Sequence, residues 1–147
     1  MRKTELTRAL LSLLLVAGII FLIGCGGNQW RNVSGQARAT GTELVNAVDV
    51  FLDTPTESNA REAHRRIDAL SDLPHIEIGD PAREGLSSAE RESNTVNGRI
   101  NHHRLILRGD LDIVALHMSM GNDIGEHYER ILERRNELAA GLGMDER

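Results

Sequence analysis

The chain has 147 residues, 22 acidic against 17 basic side chains for a formal net charge of −5, and a single cysteine. That is room for one domain; the acid excess argues against nucleic acid as a partner and against electrostatic adhesion to anionic lipid heads; and one cysteine leaves no disulfide within the chain. Aromatic residues make up 3% of the chain, so a core of Leu, Ile, Val, Ala and Met is expected, which suits packed helices better than a sandwich of cross-strand aromatic pairs.

The first 25 residues carry the strongest local pattern. Arg2, Lys3 and Arg8 precede an apolar run from Ala9 to Ile23, broken only by Ser12 and Gly18. As a helix this run would reach about 22 Å at 1.5 Å per residue, short of the roughly 30 Å of a bilayer core. A basic region, a short apolar region and small residues at a cut site are the parts of an export signal. The exit, Leu22-Ile23-Gly24-Cys25, resembles the lipobox of bacterial lipoprotein precursors.

That resemblance implies cleavage between Gly24 and Cys25, a diacylglyceryl thioether on the Cys25 sulfur, and an acyl chain such as palmitate on the new amino group. Two or more chains anchor a protein stably where one does not, so the product is expected to be tethered to a membrane without spanning it. Gly26, in place of an Asp, is compatible with the periplasmic face of the outer membrane in a Gram-negative host. The segment holds Glu5 and three cations, so its removal takes the net charge from −5 to −7. The remaining chain has no lysine, and its aromatic residues are Trp30, Phe51 and Tyr128.

The implied organisation is a signal peptide over 1–24, a lipidated tether over 25–33, a helical domain over 34–142 and a frayed tail over 143–147. Gly26, Gly27, Asn28 and Gln29 suit a flexible link, and Trp30 suits either a membrane interface or a cap on the domain. Val33, Ala37, Leu44, Val48, Phe51 and Leu52 fall on one stripe of a helix from about Ser34 to Leu52, with Thr40 and Glu43 as an alternative, later start. Thr54-Pro55-Thr56-Glu57 predicts the next helix start. That helix is expected to run to about Asp72, with Ala60, Ala63, Ile67 and Leu70 inward and the pairs Glu57–Arg61 and Glu62–Arg66 on the solvated side. His75-Ile76-Glu77-Ile78 alternates like a short strand.

Ser87-Ser88-Ala89-Glu90 reads as a capping box. Beyond it Leu86, Ala89, Ser93, Val96, Ile100, His103, Leu107, Leu111, Val114 and Met118 recur every three or four residues, one face of a long helix. Gly109 predicts a break, giving a helix over 88–108. A β-hairpin over 103–118 around Gly109-Asp110 competes with it, although it would place Asp112 among Leu105, Leu107, Val114 and Leu116. Asp123 and Glu126 suggest the start of a last helix carrying Ile124, Tyr128, Ile131, Leu132 and Leu138 inward, with Gly141 as its stop. The expected fold is mainly α, a small up-and-down bundle of four to five helices.

Six histidines are present, but none lies in Cys-x-x-Cys-His, His-Glu-x-x-His or Glu-x-x-His, and neither a hydrolase elbow nor a glycine-rich nucleotide loop occurs. The chain is therefore expected to be non-enzymatic and without a cofactor other than the lipid on Cys25. His117, Met118 and Met120 offer imidazole and thioether donors of the kind that suit Cu(I); on a helix Met118 and Met120 point about 200° apart and cannot share an ion. His103 reads as a hydrogen-bonded buried or boundary histidine within the helical stripe. The expected role is that of an envelope binding, scaffolding or assembly accessory protein, partnered by the membrane through its anchor and by another envelope protein; the alternative is a periplasmic copper binder.

Overall fold

The computed structural model describes residues 29–147; the expected signal peptide over 1–24, Gly24, Cys25 and the start of the expected tether lie outside the described residues. Four helices are present: α1 (Gly35–Asp53), α2 (Glu57–Asp68), α3 (Ser88–Ser119) and α4 (Gly125–Leu142). Among the described residues there is no strand, and the only other regular element is a 3-10 turn at Pro81–Gly85. Each helix packs on the next and α4 returns to α1, which makes an up-and-down bundle. The turns α1–α2 and α3–α4 are short; the link from α2 to α3 is long.

Local chemistry explains the helix ends. Ser34 Oγ accepts from Ala37 N at 3.1 Å and starts α1. The start of α2 differs from the expected Thr54–Glu57 box: Thr56 is the cap, accepting from Asn59 N at 3.2 Å, while Asn59 Nδ2 donates to Thr54 O. Pro55 therefore precedes the helix. The pairs Arg61–Glu57 and Arg66–Glu62, both 2.9 Å, line its solvated side. α2 ends at Asp68, short of the expected Asp72, because α3 takes the backbone that follows into another set of hydrogen bonds, described below. For the same reason His75–Ile78 is not a strand: the segment lies on a helix, not against a second strand.

At Ser87 the capping box forms in full, with Glu90 accepting from Ser87 N at 2.8 Å and Ser87 accepting from Glu90 N at 3.3 Å. α3 then runs unbroken to Ser119, about 48 Å at 1.5 Å per residue. Neither the break at Gly109 nor the hairpin over 103–118 exists. The helix keeps Leu107, Leu111 and Val114 buried on one face and leaves Asp112 exposed on another, whereas the hairpin would have forced them together.

α4 begins at Gly125 with Asp123 Oδ1 accepting from Gly125 N at 3.2 Å, and the Asp123–Glu126 box does not form. Its stop is Gly143, not Gly141. Gly143 has φ of +72°, and Met144 N donates to Ala139 O at 2.8 Å, a Schellman ending that needs a residue tolerant of the left-handed region. Gly141 sits two residues earlier, inside the helix, where a Cβ would collide with the Trp30 indole. Gly41 has a similar use in α1: a Cβ there would come within 2.6 Å of Leu142 Cδ1.

The core is continuous through the bundle, with Leu44, Val48, Phe51, Ile67, Leu73, Ile100, Leu107, Leu111, Ile131 and Leu138 fully covered. One charge enters it. Arg135 meets Asp49 through Nε at 2.9 Å and Nη2 at 3.0 Å, and its Nη1 donates to Asp145 O at 2.6 Å. A two-pronged contact of this kind fixes orientation as well as charge. The tail, expected to fray, is held by it and by Arg147, which pairs with Asp49 and Asp53.

Candidate functional site

Two recesses share the N-terminal half of α3. The larger is an open cleft of about 940 Å³ between that half and the C-terminal half of α4, with Trp30 between them. The chain enters the bundle here: Trp30 N donates to Gly141 O at 2.8 Å, and the indole lies over the bare Gly141 backbone. Of the two placements the sequence left open for Trp30, the structure shows the cap on the bundle. Its ring has His103 on one side, centroids 6.2 Å apart and 29° between planes, and Arg99 on it at 5.8 Å. Arg91 and Arg99 come from α3, and Glu133, Asn136 and Glu137 from α4. Among the described residues, Arg91, Arg99 and Glu133 form no salt bridge, and Glu137 pairs only with Arg134, at 3.5 Å.

His103 lies at the junction, 8% exposed, and its Nδ1 has no hydrogen-bond partner among the described residues. Burial pushes its pKa down from the ordinary 6.5; Glu137 acts against this, while Arg134, His102 and Arg99 add to it. The imidazole is therefore neutral at pH 7, with its Nδ1 buried and unpartnered. A cleft with Arg91, Glu92 and Arg99 on the α3 wall and Glu133 and Glu137 on the α4 wall can hold a polar segment of mixed charge by direct hydrogen bonds.

The second recess, about 600 Å³, lies where α3 meets the extended stretch after α2, and His75, Ile78, Gly98 and His102 line it. Asn94, on its wall, is one rung of an asparagine ladder that runs along α3. Asn101 Nδ2 donates to Leu73 O at 2.8 Å and its Oδ1 accepts from Leu73 N at 2.9 Å. Asn94 does the same for Ile76, donating to its O at 2.8 Å and accepting from its N. Each amide thus satisfies both backbone groups of one residue, as a neighbouring strand would. Asn97 donates to Pro74 O at 2.8 Å, but a proline has no N–H to return, and Asn97 Oδ1 is left without a partner. Arg104 extends the ladder to Leu70 O and Asp72, and Arg108 to Asp68 at 2.8 Å. The stretch therefore runs antiparallel to α3, held residue by residue.

The residues weighed for copper are dispersed. His117 is half-buried with its ring edge-on to His127 at 4.8 Å, Met118 packs against the core, and Met120 caps α3 in solvent. Helical geometry turns the two sulfurs apart, and Arg130 Nη2 donates to His127 Nδ1 at 2.6 Å. Among the described residues no group of three or more His, Cys, Asp or Glu side chains stands where it could hold a metal ion. His102 and His103, adjacent in sequence, face different surroundings, the first exposed and the second buried.

Sequence reasoning missed Arg99, Trp30 as a cleft wall, and the ladder. The spacing Asn94, Asn97, Asn101 was the available signal, since three amides at three- and four-residue steps share one helix face.

The fold and site together define a class, an all-helical four-helix bundle with an open polar cleft at the point where the chain enters it. Compared with family models, curated proteins and solved structures, the chain matches none.

Proposed function

We propose that this chain is the precursor of a lipoprotein anchored to the cell envelope through Cys25, with its bundle facing the periplasm, at the outer membrane in a Gram-negative host. There it acts without catalysis, binding or scaffolding another envelope protein. The observation that carries this reading is the path of the chain into the bundle. Trp30 is fixed against Gly141 at the edge of the cleft. It follows Cys25 by five residues, which span at most about 18 Å even when fully extended. An anchor on Cys25 would thus hold the cleft close to the bilayer surface, where a polar segment of an envelope partner meets Arg91, Arg99 and Glu133 together.

Mass spectrometry of the protein recovered from its native membranes tests the reading. The expected species begins at Cys25 and carries a diacylglyceryl group on sulfur and an acyl chain on nitrogen. An unacylated sulfur, or residues 1–24 still attached, overturns it. Substituting Cys25→Ser should move the protein from the membrane to the soluble fraction. Crosslinking in those membranes should then trap a partner through the cleft, and the yield should fall for Arg99→Glu.

A further inference from the structure

α3 has two apolar faces, and the bundle uses only one. The inward row is Val96, Ile100, His103, Leu107, Leu111, Val114 and Met118. Two residues beyond each of these, about 200° round the helix, lies a second row: Gly98, His102, Leu105, Gly109, Ile113, Leu116 and Met120. Its large members are exposed, Ile113 at 41%, Leu116 at 55%, Met120 at 56% and Leu105 at 65%. Gly109 has no use inside the molecule, since nothing lies within 4 Å of a Cβ placed there. A glycine in mid-helix is destabilising relative to alanine, yet it lets another helix approach closely.

The row is complementary to itself when reversed. Leu105 and Leu116 are symmetric about a point between residues 110 and 111, Gly109 and Ile113 about 111, His102 and Met120 about 111, and Arg108 and Asp112 about 110. These centres agree to within one residue, or about 1.5 Å along the axis. Two copies of α3 crossing antiparallel would therefore stack Leu105 on Leu116 and seat Ile113 on the bare backbone at Gly109. They would also bring Arg108 to Asp112 twice, once on each side of the two-fold axis. Asp112 is exposed and has no salt-bridge partner among the described residues. Arg108 pairs with Asp68 through Nη1 alone at 2.8 Å, which leaves its other donors open.

We infer that the outer face of α3 is a self-association surface, and that two copies of this chain pair through it in an antiparallel, two-fold arrangement. The same patch serves both copies, as an isologous interface requires. The surface lies on the side of α3 turned away from the bundle core, so pairing leaves the fold of each copy intact. It does not depend on the lipid anchor.

Sedimentation of the full chain in density-matched mild detergent, with circular dichroism to verify the fold, tests the inference. The wild type should be a dimer at micromolar concentration, and Leu116→Arg and Asp112→Arg should each weaken it by at least about tenfold. Arg108→Asp should do likewise, and the double exchange Arg108→Asp with Asp112→Arg should recover most of the loss, which damage to the Arg108–Asp68 pair alone would not allow. A wild type still monomeric at about 100 µM overturns the inference. So does a dimer indifferent to Leu116→Arg, which would place the contact elsewhere, or a double exchange no better than the single ones.

Discussion

The two halves of α3 hold their neighbours by different means. From Leu107 onward the helix turns Leu107, Leu111, Val114 and Ala115 into the core. Before Leu107 its buried residues are Val96, Ile100 and His103, and the neighbouring stretch is held by Asn94, Asn97, Asn101 and Arg104 through backbone groups. Apolar burial is non-directional and grows with area, so the second half supplies most of the stability. Hydrogen bonds are directional and modest in net worth, so the first half supplies position. It fixes where residues 70–76 lie and keeps two recesses open beside them.

Deleting a buried side chain in the second half should give the largest effect. Leu111→Ala should cost about 3 kcal/mol, as cavity-forming substitutions do, while Leu105→Ala, at a site exposed within one copy of the chain, should stay within about 0.5 kcal/mol when the protein is dilute enough to be monomeric. Urea unfolding of both distinguishes them, and equal losses would break the contrast between the faces. Next comes the ladder. Asn101→Ala removes partners from both Leu73 N and Leu73 O and should cost about 2 kcal/mol, with faster amide exchange confined to residues 70–76.

A smaller effect is expected where the chain enters the cleft. Gly141→Ala puts a methyl group into the Trp30 ring and should cost about 1 kcal/mol by overpacking. Because Trp30 is the only tryptophan, its emission should shift to the red as the ring is displaced. An unchanged spectrum would mean that the ring does not seat on Gly141.

The finest test is titration. His103 has its pKa lowered from 6.5 chiefly by burial. The unfolded chain therefore takes up this proton at a higher pH than the folded one. The contribution of His103 to stability is complete above about pH 6.5 and is lost as pH falls towards the lowered folded pKa. His103→Gln should flatten the difference in urea midpoint between about pH 7.5 and pH 5.5 relative to the wild type. An equal slope in both would remove His103 as the source.

Much of the architecture was legible because helix periodicity and caps are local. The inward row of α3 from Val96 onward and the Ser87–Glu90 box were readable from spacing, and the structure has both, while Ala89 at the start of the expected row is exposed. Three of the differences share one cause. Gly109 suggests a break and Gly141 a stop, on the rule that glycine punctuates helices. Yet α3 packs on both sides of Gly109, and Gly141 is needed bare beneath Trp30, a residue more than a hundred positions away in the chain. The strand expected at His75–Ile78 failed likewise: the backbone partners of that stretch are side-chain amides from α3, which no pattern within the stretch records.

The cleft was harder to read than the fold. The residues at its base and on its walls, Trp30, Arg99, His103 and Glu137, come from three separate segments, and nothing in their spacing joins them. The spacing of His117, Met118 and Met120 suggested a constellation that helical geometry takes apart.

By itself the sequence determined the helical class, the Ser87–Glu90 cap, the apolar face of each helix and the resemblance of Leu22–Cys25 to a lipobox, since each depends on residues within a few positions of one another. Only the tertiary structure decided which glycines end a helix and which admit a neighbour, that Arg135 would be buried against Asp49, and that Trp30 and His103 would meet. Those outcomes depend on which surfaces come into contact once the bundle closes, and the energy of such contacts is carried by pairs far apart along the chain.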